Sequence, residues 1–261
     1  MKNIYPTCAL LFLLLTSVTL SAQKKVNPAK LAKTIPRDTI RVQNVQWWDS
    51  SRKRLVPVAI YAPNKIKGAK VILVSHDYGQ NNMECYHQYS YICNYLARKG
   101  YYVASIQHEL PTDPLITNTG NIIQNRMINW ERGAGNIHFV LNRLKHDQKQ
   151  LDYKNVTLIG HSNGGDISIL YAQKYPKDIA KVISLNNRRM PFPRSKTPKI
   201  YSIRATDQVA DGGVLPTLAE QKKYGMRCVS AHCLHNEMDN TANDDQRKEI
   251  NGYILSFMQA K

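Results

Sequence analysis

The sequence predicts an α/β domain built on a mostly parallel central sheet. Short runs rich in β-branched and apolar residues alternate with stretches of helical period along most of the chain. Around Gly160–Gly165 an apolar run, a glycine-rich turn and a helical stretch succeed one another without a gap. The length of 261 residues, 43% of them hydrophobic, suffices for one well-buried domain and falls short of two.

At the start, Lys2 supplies a charged residue, Ala9 to Leu15 an apolar run and Leu20-Ser21-Ala22 a small-residue ending. Residues 1–22 therefore read as a signal peptide, so the chain is expected to be exported, to the periplasm or as a secreted protein. The apolar run is shorter than the roughly 20 residues of a spanning helix, and after cleavage no integral membrane protein is expected. Residues 23–37 are polar and read as a flexible leader with no assigned chemistry. Residues 38–261 are expected to form the single domain.

Within it, Ile40 to Trp48 and Leu55 to Tyr61 flank the charged turn Asp49 to Arg54 and predict an antiparallel hairpin. Further strands are expected at Val71–Val74, Tyr101–Ile106, Val156–Ile159, Val182–Leu185, Ile200–Ile203 and Met226–Val229. Tyr89, Ile92 and Leu96 place an apolar stripe on a helix that stops before Gly100. Trp130, Ala134, Ile137, Leu141 and Leu144 recur at steps of four and three and mark a second helix. A last amphipathic stretch carries Ile250, Ile254 and Phe257. Leu110 to Asn129, with Pro111, Pro114 and Gly120, reads as a long loop, a place where function often resides. Asn186 to Lys199 has room only for a loop, so any lid there is minimal or absent.

Lysine and arginine number 36 against 19 aspartates and glutamates, a formal charge of +17. Such a surface attracts polyanions, including anionic lipid headgroups and acidic glycans. The basic residues stand singly or in pairs (Lys24-Lys25, Arg188-Arg189, Lys222-Lys223) with no nucleic-acid module, and no nucleic-acid partner is expected. Besides Cys8 in the signal, Cys85, Cys93, Cys228 and Cys233 permit three pairings. A bridge between Cys228 and Cys233 would close a tight loop just before His235.

The chemistry centres on Gly160-His161-Ser162-Asn163-Gly164-Gly165. A serine on a tight strand-to-helix turn projects its hydroxyl, and flanking glycines let strand and helix approach. The hydroxyl is a poor nucleophile near neutral pH and needs a base, with a carboxylate to orient it. Only His232 and His235 come after the last expected strand, and His235, further into the loop, is preferred. The carboxylate is expected to be Asp207, directly after Ile200–Ile203, with Asp211 in reserve. The backbone amides of Asn163 and Tyr78 are the expected oxyanion donors. Arg188 and Arg189, with Arg126 and Arg132, are candidates for bringing positive charge to an anionic substrate.

With these residues in place the chain resembles the α/β-hydrolase family, and within it the lidless branch of platelet-activating-factor-acetylhydrolase-like and dienelactone-hydrolase-like proteins. The resemblance rests on Pro57 to Pro63, on Val74-Ser75-His76-Asp77-Tyr78-Gly79 and on Gly160 to Gly165. The family usually has His-Gly where this chain has His76-Asp77. The resemblance implies a carboxylesterase-like serine hydrolase working through an acyl-serine, with the triad Ser162, Asp207 and His235 and with no cofactor or metal. The implied substrate is a small-molecule, lipid or glycan ester. An acyltransferase would share the acyl-enzyme, and a non-catalytic protein binding anionic surfaces would use the charge alone.

Overall fold

The computed structural model describes residues 40–117 and 119–260. The expected signal and leader, residues 1–37, lie outside the described residues.

β1 (Arg41–Asp49) and β2 (Arg54–Ala62) pair antiparallel with Val45 opposite Val58, as the hairpin pattern predicts. β3 (Lys70–Ser75), β4 (Tyr102–Ile106), β5 (Asp152–His161), β6 (Lys181–Leu185), β7 (Lys199–Arg204) and β8 (Arg227–Ser230) complete an eight-stranded sheet. Its spatial order is β1-β2-β4-β3-β5-β6-β7-β8. β2 runs antiparallel to both its neighbours, and every pair from β4 through β8 is parallel.

Side chains of a strand alternate between the two faces of its sheet, and those of β3 divide between two cores accordingly. Val71 and Leu73 pack into one core with Trp130, Ile137, Leu141, Ile167 and Tyr171, which belong to α2 (Ile122–Asp147) and α3 (Ser162–Lys174). Ile72 and Val74 pack into the other with Ile92 and Leu96 of α1 (Ser90–Arg98) and Ile250, Ile254 and Phe257 of α5 (Asp244–Gln259). All four β3 residues are buried, each such side chain contributing about 1.5–3 kcal/mol. Because both faces are covered, β3 reads as an unbroken apolar run rather than an alternating one. β3 lies between β4 and β5, so the chain leaves it in opposite directions along the sheet. That reversal opens a crevice outside the carboxyl ends of the strands.

Three expectations are corrected. The loop expected over 110–129 is shorter, because α2 begins at Ile122, capped by Asn121, whose side chain accepts from Gln124 N at 3.1 Å. Its first turns point Ile122, Ile123 and Ile128 toward solvent, so no core-facing stripe announces them. α4 (Leu218–Tyr224) was not expected; it buries no residue and is carried by a capping box between Thr217 and Glu220. Cys85, Cys93, Cys228 and Cys233 are all free. Cys228 packs toward the α2–α3 core and Cys233 lies in the α1–α5 core, so opposite faces of the sheet separate the two sulfurs expected to pair. Among the described residues no helix is long and apolar enough to cross a membrane.

Candidate active site

The site begins at the junction of β5 and α3. Ser162 has φ +50°, a left-handed conformation that costs an L-residue about 1–3 kcal/mol and persists where surrounding structure enforces it. The enforcement is visible in the glycines. A Cβ on Gly160 would stand 2.2 Å from the Gly164 carbonyl oxygen, and one on Gly164 would stand 2.2 Å from His76 O and 2.4 Å from Ser75 O. Strand, helix and the loop after β3 thus meet at backbone distance, with Ser162 half-buried at the turn.

Asn163 is held by its side chain. Trp130 Nε1 donates to Asn163 Oδ1 at 2.8 Å, and Asn163 Nδ2 donates to Asn129 Oδ1 at 2.7 Å. All three residues are buried, so α2 clamps the residue whose amide comes after the serine.

On the opposite side of the crevice, His76 organises the loop after β3. Its Nε2 accepts from His108 N at 2.9 Å, which leaves the proton on Nδ1, 2.6 Å from Asp77 O. Burial holds this imidazole neutral and pushes its pKa down to about 4. A trans peptide points its N–H away from its C=O, so the Tyr78 amide is directed away from the His76 ring. The Tyr78 hydroxyl accepts from Ile116 N at 2.9 Å.

Glu109, which the sequence did not single out, supports the same loop. It is fully buried; Oε2 accepts from Asn81 N at 3.0 Å, and Oε1 has no partner among the described residues. Burial raises its pKa from the ordinary 4.5 to about 7. The folded protein therefore holds a proton on Glu109 between pH 4.5 and 7 that the unfolded chain has lost. The stability this contributes is complete below pH 4.5 and is lost as pH rises through 7. Glu109→Gln is expected to match wild type near pH 4.5 and to be more stable above pH 8, by about 3 kcal/mol. Urea denaturation at both pH values reads the difference, and a gap independent of pH would refute the assignment. The buried histidines titrate alike in both proteins and cancel.

The loop after β8 delivers His235, whose Nε2 lies 3.1 Å from Ser162 Oγ. Behind it, His161 stacks obliquely with centroids 4.6 Å apart and is held through Nδ1 by the Tyr89 hydroxyl at 2.6 Å. Burial lowers the His235 pKa; the charge of Asp207 opposes that, while Arg204 and Arg188 add to it. His232 is exposed and pairs with Glu249 at 2.9 Å, away from the serine.

Asp207 lies just after β7 and beside His235, but it meets the main chain and not the ring. Its Oδ1 accepts from the backbone N–H of His235 at 2.7 Å. The atom facing His235 Nδ1 is Nδ2 of Asn186, at 2.7 Å. Asn186 is fully buried with φ +49° at the end of β6. Asp211, the reserve carboxylate, binds Arg188 at 3.0 Å and lies 3.9 Å from Arg189.

The arginines divide. Arg132 lies 3.3 Å from Asp113, which also takes both Nη1 and Nη2 of Arg54 at 2.6 and 2.7 Å. This cluster ties the start of the loop after β4 to β2 and α2, so Arg132 is committed to structure. Arg126 has no ion pair among the described residues; its Nε is buried without a partner and its guanidinium stands 5.9 Å from the Tyr78 ring centre. Burial lowers its proton affinity, and the charges of Arg189 and Arg188 add to this. Asp166 of α3 holds the Arg188–Arg189 loop in place by accepting from Arg189 N at 3.0 Å and Met190 N at 2.8 Å.

The family described as alpha/beta hydrolase fold matches residues 135–235, from within α2 to the histidine itself. The fold is the α/β-hydrolase fold. Solved esterase structures agree with it along nearly the whole chain. A thermophilic carboxylesterase cloned from a metagenomic library superposes with TM-score 0.62 at 15% identity, over 90% of this chain and 94% of its own. A fungal esterase of Rhizomucor miehei gives 0.64 at 11% identity over 89% and 87%, and a bacterial heroin esterase 0.60 at 11% over 88% and 86%. Among the curated proteins none matches.

Proposed function

We propose that the chain is a serine hydrolase that cleaves an ester or related acyl bond through an acyl-Ser162 intermediate. The observation that carries the reading is the Ser162 hydroxyl, held at a strained strand-to-helix turn 3.1 Å from His235 Nε2. The esterase activity named for the structural neighbours is consistent with it.

In the reaction, Ser162 Oγ attacks the acyl carbon and its proton passes to His235 Nε2. The Asn163 and Tyr78 amides receive the developing oxyanion, where each fixed donor is worth several kcal/mol in a water-poor site. His235 then protonates the leaving alcohol. Water, activated by the same ring, releases the acid and restores the serine. Asp207 contributes through its field, which favours the charged imidazole.

The charges of Arg188 and Arg189 reach Arg126, with Asp211 offsetting part of theirs, and the proposed substrate carries an anionic acyl or leaving group that binds these arginines. Export to the periplasm or beyond is inferred from residues 1–22 and belongs to the same proposal.

The test is labelling with a fluorophosphonate, then mass spectrometry of the adduct and rates on a panel of acidic and neutral esters. The expected result is an adduct on Ser162, absent from His235→Ala, with acidic esters preferred and the preference lost in Arg188→Ala/Arg189→Ala. Absence of an adduct would overturn the hydrolase reading, and an unchanged preference would overturn the anionic substrate alone.

A further inference from the structure

The group that faces the base in this site is an amide, and its orientation is decided by the backbone. Asn186 N continues the β6–β7 pairing by donating to Ile203 O at 2.9 Å, and Asn186 Oδ1 accepts from Ala205 N at 3.2 Å. A peptide N–H can only donate, so the oxygen of the amide belongs on the Ala205 side. The NH2 group therefore faces His235 Nδ1, 2.7 Å away. That nitrogen must then present its lone pair. A neutral imidazole with a lone pair on Nδ1 carries its proton on Nε2, the atom 3.1 Å from Ser162 Oγ.

This tautomer donates to the serine and cannot take its proton. The productive one, with the proton on Nδ1, would set two donors against each other. Turning the amide over would relieve the ring but leave the Ala205 N–H facing an NH2 group, and an unsatisfied buried donor costs about 1–3 kcal/mol. An asparagine can serve a catalytic histidine when its oxygen accepts from Nδ1; here that oxygen is already taken. Asp207 does not substitute: its Oδ1 binds the main-chain N–H of His235, and among the described residues neither of its oxygens is hydrogen-bonded to the ring, whose Nδ1 faces Asn186.

We propose that Asn186 is a positioning residue that holds His235 in the Nε2-protonated tautomer, so that Ser162 is a restrained nucleophile in the resting protein. The proposal rests on the hydrolase reading for its kinetic consequence and on the structure alone for the tautomer.

Asn186→Asp separates the two. A carboxylate of the same shape keeps an acceptor for Ala205 N–H and offers Nδ1 a second acceptor, so packing is preserved while the ring is reversed. The reverse exchange beside a catalytic imidazole costs about 10⁴-fold in kcat. Asn186→Asp is accordingly expected to raise fluorophosphonate labelling and hydrolysis of p-nitrophenyl acetate by about 10²-fold or more, and to move the acid limb of the pH–rate profile upward. Nitrogen-15 NMR of the His235 ring reports the tautomer with no catalysis required: Nε2–H in wild type, Nδ1–H in the variant. Nδ1–H in wild type, or an unchanged rate in a variant that unfolds at the wild-type temperature, would overturn the proposal. If neither protein is labelled while the wild-type ring is Nε2–H, the hydrolase reading fails and the tautomer assignment stands.

Discussion

Ser162→Ala is expected to lower kcat for ester hydrolysis by about 10³-fold, with the melting temperature little changed. The loss is smaller than the roughly 10⁶-fold seen when a complete triad loses its serine, because the wild-type base starts from the unproductive tautomer. His235→Ala should cost about as much, and the double variant no more than either single one, since the two groups act on one proton. Among the described residues the Ser162 hydroxyl bonds to His235 Nε2 alone, so its removal leaves no buried backbone donor exposed. The measurement is the initial rate with p-nitrophenyl acetate for the three proteins at one pH. A Ser162→Ala protein retaining a tenth of wild-type activity would remove Ser162 as nucleophile.

Gly164→Ala carries the largest expected effect on folding. The added carbon would lie 2.2 and 2.4 Å from the carbonyl oxygens of His76 and Ser75 and 2.7 Å from Ser75 C, about an ångström inside contact distance. The obstacles are backbone, so no rotamer relieves them; α3 must move away from the end of β3. Overpacking of this kind costs about 3 kcal/mol or more. The same movement withdraws the Asn163 amide from the loop carrying Tyr78, so activity should fall further than the fraction unfolded explains. Chemical denaturation together with kcat per folded molecule tests both parts. A variant within about 1 kcal/mol of wild type would show that helix and loop are not in contact in solution.

The central strands and the elbow were legible because burial on both faces writes an unbroken apolar run, and the serine turn needs glycine wherever backbones meet. Elements that bury little leave no such record: the first turns of α2 expose three isoleucines, and α4 has no buried side chain. Within the site, Ser162 and His235 were legible from chain order, since each comes after a strand at a recognisable distance. The neighbour of the His235 ring was not. Asn186 and Asp207 lie just beyond adjacent parallel strands, and which of them reaches the ring depends on side-chain direction at the ends of β6 and β7. The chemistry of a histidine base favours a carboxylate partner, which points to Asp207 rather than to the amide of Asn186. A signal was available in Asn186 itself, because asparagine tolerates the left-handed turn required directly after a strand. The separate tasks of Arg132 and Arg126 depend on Asp113, whose position no spacing reveals.

Asp113 has a consequence for how substrate reaches the serine. With two arginines from different elements on its carboxylate, and with Asn81 donating to its carbonyl at 2.6 Å, the start of the loop after β4 is pinned to the body of the protein. This end of the loop does not swing away from β2 and α2 while those contacts hold. In the proposed hydrolase, a loop start fixed in this way leaves selectivity at this point to substrate girth and charge rather than to the timing of a gate.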